Sequence, residues 1–191
     1  MRKIISIDRT ENFTIKLFNH NLFVFNDYII YRADFSSLPV VEKKLMMRSI
    51  SLENVELCIK GDFSMERMQK YLQEKGDETE GFLFFDGDEP VGYLWIMYKG
   101  GNHFQYRVRN IEALIYQIEV FPEFRGQGIC GIMMCQAFEY LKTHKDINEA
   151  YWSVRNNNES ALKAYNKLDA NQVGRRRFFR ILKINIPYCK I

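Results

Sequence analysis

Three glycines, Gly126, Gly128 and Gly131, fall within the eight residues "FRGQGICG" at 124–131, directly before an apolar run of helical period. Bare backbone at such a place serves either a turn that only glycine can make or N–H groups that must come close to a ligand. A loop that leaves a strand and opens a helix turns unpaired N–H groups and the positive end of the helix dipole toward an anion. Arg125 adds a full charge, and the three glycines leave room for a group as bulky as a pyrophosphate. Two other nucleotide patterns are absent: the stretch is neither GxGxxG with an acid about 20 residues on, nor GxxxxGK[ST]. Glu119 and Glu112 are carboxylates in an otherwise apolar segment, placed where one of them could take a proton directly or through water. Asn158 precedes an apolar periodic run and has the side chain of a helix N-cap.

Several other groupings carry less. Asp86, Asp88 and Glu89 occupy "DGDEP", where acids serve turn geometry. Ser153 has no histidine and aspartate spaced to form a triad. Cys58, Cys130, Cys135 and Cys189 show no CxxC spacing, and His20, His103 and His144 lie far apart, so neither a metal site nor a disulfide framework is indicated.

The elements that must hold these residues read most clearly in the second half. "GFLFFDGDEPVGYLWIMY" is a hairpin pattern, two apolar runs about a turn. The polar interruption "KGGNHFQYRVRN" follows. "IEALIYQIEV", 111–120, is apolar at nearly every position and reads as a strand covered on both faces. Ile129, Ile132, Met133, Gln136, Ala137, Tyr140 and Leu141 give an amphipathic helix over 129–143. "EAYWSV" is a further strand and "NESALKAYNKL" a further helix capped by Asn158, while "RFFRILKI" closes as a last strand. The first half is less legible. "LFVF" and "DYIIYRADF" read as short strands around Asn26-Asp27, "VVEKKLMMRSI" has no clear type, and "SMERMQKYLQEKG" is a helix with Met65, Met68 and Leu72 on one face, ended by Gly76. Strands alternating with helices predict α/β or α+β packing around one mixed sheet.

The chain has 191 residues, 47% hydrophobic and 15% aromatic, with a formal net charge of +3, which is an ordinary globular composition and long enough for one core. We expect a single domain over 1–191. The charge is too small to imply nucleic-acid binding by itself; only "GRRRFFRILK", 174–183, concentrates it, and a charged strand edge is its ordinary use. No long apolar run suggests a leader or a membrane span, so a cytoplasmic protein without membrane or nucleic-acid partners is the expectation.

Two segments together resemble one family. "IEVFPEFRGQGICGIMMCQAFEYL" looks like the acyl-CoA-binding segment of the GNAT N-acetyltransferases, a strand ending in Val, a Q/R-x-x-G-x-G/A loop and a helix. "VRNNNESALKAYNKLDA" resembles the later segment V-x-x-x-N-x-x-A-x-x-x-Y-x-x-x-G-F, with Val154, Asn158, Ala161 and Tyr165 at the matching places. The resemblance covers 81–184, while residues 1–60 are divergent. It implies the GNAT fold, a mostly antiparallel twisted sheet flanked by helices, with acetyl-CoA as co-substrate and no metal. It also implies roles. The backbone of Val120 would meet the pantetheine arm, and Arg125, Gly126, Gln127, Gly128, Ile129, Cys130 and Gly131 would wrap the pyrophosphate. Asn158 would contact the cofactor arm, and Tyr165 would act as general acid to the leaving thiolate. Three places depart from the pattern: Glu123 at the head of the loop, Cys130 for a Gly or Ala, and Asp169-Ala170 for Gly-Phe.

The expected activity is direct attack of a primary amine of a small molecule on the acetyl thioester, with Glu119 as candidate base. The aromatic content, the polar interruption and the arginine cluster lean toward an amino sugar, including a nucleotide-linked one. The enzyme would be a monomer or homodimer. The alternatives are a protein, peptide or aminoglycoside acetyltransferase, a non-catalytic acyl-CoA-binding module that would not depend on Tyr165, and a nucleic-acid binder using 175–183.

Overall fold

The computed structural model describes residues 5–8, 14–17, 20–37, 42–60, 65–73, 79–98, 102–103, 106–108, 112–181 and 184–188. In chain order the strands are β1 (Ile5–Asp8), β2 (Thr14–Leu17), β3 (His20–Asp34), β4 (Met46–Ser49), β5 (Thr79–Asp86), β6 (Glu89–Met97), β7 (Asn102–His103), β8 (Tyr106–Arg107), β9 (Glu112–Val120), β10 (Glu149–Arg155), β11 (Ala170–Ile181) and β12 (Ile184–Tyr188). The α-helices are α1 (Met65–Gln73), α2 (Ile129–Lys145) and α3 (Glu159–Tyr165). The chain falls into two compact units, one of residues 32–152 and 164–170, the other of residues 1–31, 153–163 and 171–191. Among the described residues no helix is long and apolar enough to cross a membrane.

In the unit of residues 32–152 and 164–170, β4, β5, β6 and β9 run antiparallel to one another, and β10 joins β9 in parallel. A parallel neighbour needs a crossover, and α2 supplies it between β9 and β10. The β5–β6 hairpin turns through Gly87, whose φ of 62° a side chain would resist. Alternation along β5 and β6 divides the apolar residues between two faces. Leu83, Phe85, Tyr93 and Trp95 pack with Ile50, Val55 and Met68 of the segment that includes α1. On the other face Phe82 meets Tyr140 of α2, their ring centroids 4.8 Å apart. Farther along α2, Phe138 lies between Phe35 at 5.0 Å and Trp152 at 5.6 Å. Gly92 has no room for a side chain between β9 and α2: a Cβ there would stand 2.4 Å from the Glu119 carbonyl oxygen and 3.1 Å from Met133 Sδ.

Polar groups tie α2 to neighbouring segments at its middle and near its C-terminus. Gln136, expected on the apolar face of the helix, acts as a backbone partner: its Oε1 accepts from Leu45 N at 2.9 Å and its Nε2 donates to Leu45 O at 2.8 Å. Near the helix C-terminus, Glu80 accepts from Tyr98 Oη at 2.5 Å, Tyr140 Oη at 2.9 Å and Lys145 Nζ at 3.0 Å. Burial alone would raise the Glu80 carboxyl, but these three donors bring it below its ordinary value. The stretch 42–50, without clear type in the sequence, supplies β4. The helix expected from Ser64 forms from Met65, while its expected stop at Gly76 lies outside the described residues.

In the other unit β1, β2 and β3 are successive antiparallel strands, and β11 pairs with both β3 and β12. Two sequence expectations are corrected here. No turn divides β3 at Asn26-Asp27, and the last expected strand both begins earlier, at Ala170, and is followed by another, β12. The reason for the first is electrostatic. Asp27, a residue that ordinarily marks turns, is only 3% exposed in mid-strand because Arg175 embraces it. Arg175 Nε donates to Oδ1 at 2.6 Å and Nη2 donates to Oδ2, while Asn156 Nδ2 donates to Oδ2 at 3.0 Å and Arg177 stands 3.7 Å away. The arginine cluster that looked like a solvated edge is thus in part the counter-charge of a buried acid.

The hydrogen bond from Arg175 holds the Asp27 carboxyl below its ordinary 3.8 against the opposing effect of burial. A carboxylate depressed in the folded state stabilises the fold above its unfolded value and ceases to do so as pH falls through the folded value. Asp27→Asn is therefore expected to cost about 2 kcal/mol near pH 7, less than the ~3–5 kcal/mol of a fully enclosed pair because the Arg175 side chain is 43% exposed. Urea unfolding at pH 7 and at pH 3 checks this, since the gap between variant and wild type should narrow once the pH falls below the ordinary value of 3.8.

Candidate active site

The site is built on the second half of β9. Residues Glu112 to Tyr116 are buried, whereas Gln117 to Val120 are only half-buried, so the expected cover on both faces holds for the first part of the strand alone. Gln117 has φ 51°, and the register with β6 shifts between Tyr93 and Trp95: Tyr93 pairs with Glu119 but Trp95 with Tyr116. This is a bulge, and it re-aims the side chains that follow. On the other side the ladder to β10 runs from Glu112 to Leu114 and stops, leaving residues 115–120 outside it. The two candidate bases are separated by this layout. Glu112 is 4% exposed at the far end of the strand from the loop, about 20 Å of strand away from Glu119.

Phe121, fully buried, fixes the strand end, its N–H donating to Val91 O at 2.9 Å. A single 3-10 turn, Pro122–Phe124, then carries the chain to Gly126 and Gly128, with φ 79° and 78°. Both glycines are required by the backbone conformation alone. Gly131 differs. It sits inside α2 at a helical φ, where glycine costs about 1 kcal/mol relative to alanine, and nothing lies within 4 Å of where its Cβ would be. Neither turn geometry nor packing asks for glycine there. Gly131 N donates to Gly128 O at 3.0 Å and Ile132 N to the same oxygen at 3.3 Å. Among the described residues, the N–H groups of residues 126 to 130 meet no backbone acceptor. Five successive donors, an open surface and the positive end of a 17-residue helix together make a cradle for an anion.

Arg125 does not point its charge into that cradle. Its Nε donates to Val120 O at 3.0 Å and its Nη2 to Glu119 Oε1 at 2.7 Å, so it folds back over the strand end and neutralises Glu119. Counting back from Gly128, the last residue before α2, also corrects the reading of the loop head. The Q/R position of the pattern falls on Arg125 and the Gly/Ala position on Cys130, while Glu123 lies outside the pattern, where its carbonyl accepts from Gln127 Nε2 at 3.2 Å.

Tyr165 ends α3 and is 4% exposed, its ring edge-on to Trp152 with centroids 5.6 Å apart. It lies close enough to Cys130, on the first turn of α2, to lower the pKa of the thiol. Burial, and to a lesser degree the charge of Glu119, push that thiol up to about 11 against the opposing pull of Tyr165. Glu119 and Tyr165 thus both act on the Cys130 thiol, and Arg125 is hydrogen-bonded to Glu119. After Tyr165 the chain needs no glycine to leave the helix: Leu168 N donates to Tyr165 O at 3.0 Å and Ala170 N to Leu168 O at 2.7 Å. Asn158 is in the other unit, where its Oδ1 accepts from Ala161 N at 3.1 Å as an N-cap. Sequence reasoning placed Cys130 in the pyrophosphate loop without a role for its thiol, and gave no part to Trp152. The only signal available was a cysteine where the pattern has glycine or alanine.

A family model described as the acetyltransferase (GNAT) family matches residues 49–170. No curated protein sequence matches the chain. Solved structures share its fold at low identity. An acetyltransferase from the GNAT family from Colwellia psychrerythraea has a TM-score of 0.59 and 14% identity over 87% of this chain and 57% of its own. A GCN5-related N-acetyltransferase from Kribbella flavida has a TM-score of 0.58 and 12% identity over 82% and 58%. A GCN5-related glucosamine N-acetyltransferase region of a fungal multi-domain β-N-acetylglucosaminidase has a TM-score of 0.58 and 14% identity over 91% and 21%. The chain thus spans less than two thirds of the length of each of these proteins.

Proposed function

The chain belongs to the acetyltransferase (GNAT) family, and from that premise we propose that it transfers an acetyl group from acetyl-CoA to a primary amine of a small molecule by direct attack on the thioester. The observation that carries the reading is Gly131: a glycine inside a helix, with open space where its side chain would be, directly after five N–H groups that meet no backbone acceptor among the described residues. These donors would hold the pyrophosphate of CoA, and the half-buried end of β9 at Val120 would meet the pantetheine arm. Charge neutralisation of the diphosphate then falls to the helix terminus and backbone, because the Arg125 side chain is turned toward Glu119.

Of the two carboxylates, Glu119 is the one beside the loop. We assign it the proton of the attacking amine, with Arg125 hydrogen-bonded to it, and we assign Tyr165 the proton given to the leaving thiolate. The amine loses one proton and the thiolate gains one, so the reaction balances without a metal or a covalent enzyme intermediate. Among the described residues no group of three or more His, Cys, Asp or Glu could hold a metal ion.

Among amines, an amino sugar is the acceptor we place first. The aromatic share of 15% gives stacking surface of the kind sugars use, and the same fold serves in a protein described as a glucosamine N-acetyltransferase region. The arginine cluster no longer supports this choice, since Arg175 and Arg177 are engaged with Asp27. The other lean, the interruption at 99–110, has side chains mostly outside the described residues. Comparing kcat/KM for amino sugars, nucleotide-linked amino sugars, polyamines, aminoglycosides and peptides tests the assignment. An amino sugar should lead, and a peptide or polyamine preferred by more than tenfold would replace it.

A further inference from the structure

Arg125 is anchored twice before its charge can reach the cradle. Its backbone closes the 3-10 turn, the N–H donating to Pro122 O at 3.3 Å. Its side chain runs back along the chain, with Nε donating to Val120 O at 3.0 Å and Nη2 donating to Glu119 Oε1 at 2.7 Å. Resting on the proposed role of Glu119 as base, we propose that Arg125 is the positioning residue for that base: the strand end fixes the guanidinium, and the guanidinium fixes the carboxylate that receives the proton of the amine.

A glutamate base needs such a partner. Its rotatable side-chain bonds allow an unheld carboxylate several rotamers, and a base works only within hydrogen-bond reach of the proton it takes. The backbone supplies part of the direction, since the bulge at Gln117 sets where Glu119 leaves β9, opposite Tyr93 of β6. The rest is side-chain freedom, and Arg125 is built to remove it. Its planar group carries N–H bonds in fixed directions, one engaged on backbone and one on the carboxylate. The backbone it grips is itself held, because Phe121, the next residue, is fully buried with its N–H on Val91 O at 2.9 Å. A lysine would keep the charge but carries its donors on a single nitrogen at the end of a flexible stem, and it cannot reproduce this fork. A carbonyl oxygen has two lone pairs, so the bond from Nε does not bar the pantetheine arm from the strand end at Val120. The resemblance implies a pyrophosphate contact for Arg125; the two hydrogen bonds direct the same group to the acceptor side of the reaction instead.

The test measures kcat with the accepted amine, and separately the Kd for CoA, in Arg125→Gln, Arg125→Lys and Glu119→Gln, and in Arg125→Gln combined with Glu119→Gln. Arg125→Gln is expected to lower kcat about tenfold while the Kd for CoA stays within about twofold. Arg125→Lys, with the charge but not the fork, should recover part of the rate and remain below the wild type. On the Glu119→Gln background Arg125→Gln should change nothing further, since a positioning residue has no effect once the group it positions is gone. The Arg125 side chain is 48% exposed, so melting temperatures, recorded for every variant, should stay near that of the wild type. Wild-type kcat in Arg125→Gln while Glu119→Gln is slow overturns this inference alone. So does a rise of about tenfold in the Kd for CoA with kcat kept, which would return Arg125 to the pyrophosphate. A full wild-type rate in Arg125→Lys removes the two-point fixation, and a further loss in the combined variant places the action of Arg125 elsewhere. Normal turnover in Glu119→Gln overturns the base assignment itself.

Discussion

Tyr165→Phe is expected to lower kcat by about 10²-fold or more while the Kd for acetyl-CoA stays within about twofold. The size follows from the leaving group. A CoA thiolate expelled without a proton must be stabilised by whatever remains, and general-acid assistance contributes ~10²–10⁴-fold when the donor is positioned. The separation of kcat from affinity follows from the place of the residue. Tyr165 is 4% exposed, ends α3 and packs on Trp152, while the proposed pyrophosphate contacts come from the backbone at the start of α2. Phenylalanine keeps the ring and its edge contact, so the fold should be unaffected and only the hydroxyl is lost. Steady-state kinetics beside a binding titration separates this from the rival in which the chain merely binds acyl-CoA. A variant that turns over normally would assign the tyrosine to packing.

The second large effect concerns the cradle. Gly131→Leu is expected to abolish the rise in melting temperature that CoA confers, while the melting temperature without ligand stays close to that of the wild type. Gly126 and Gly128 are poor places to ask this question, because their φ values of 79° and 78° make any side chain strained and a failure to bind could be a failure to fold. Gly131 has helical backbone and open space, so leucine fits the free protein and obstructs only what enters the space. Gly131→Ala serves as the control. It should raise the stability of the ligand-free protein by up to ~1 kcal/mol through helix propensity. Undiminished protection by CoA in Gly131→Leu would show that the glycines serve the turn and nothing else.

What the sequence disclosed, and what it hid, divides along physical lines. The β5–β6 hairpin, β9, α2 and α3 were readable because each rests on a local rule: a glycine turn between apolar runs, an unbroken apolar stretch, helical spacing, a capping asparagine. The loop from Arg125 to Gly131 was legible for the same reason, since strand, glycines and helix are consecutive. Asp27 misled because turn propensity is local, whereas its burial depends on Arg175, which is 148 residues away in sequence. Gln136 misled similarly, its place on the apolar face being explained only by Leu45 across the fold. Within the site, the bulge at Gln117 gave no sequence signal, yet it shifts the register that places Glu119 opposite Tyr93. The conversion of Arg125 from a phosphate ligand into the partner of Glu119 depended on that same placement and could not have been read from residue types.

The central claim is that this chain carries an acetyl group from CoA to an amine. It is met most directly by following free thiol release from acetyl-CoA with the purified protein, with and without amino sugars and the other amines, and weighing the products. Thiol should appear only when an accepting amine is present, in a one-to-one ratio with the N-acetylated product. Acetyl-CoA that binds and protects the protein yet yields neither thiol nor amide with any amine offered would contradict the claim and leave a binding module in its place.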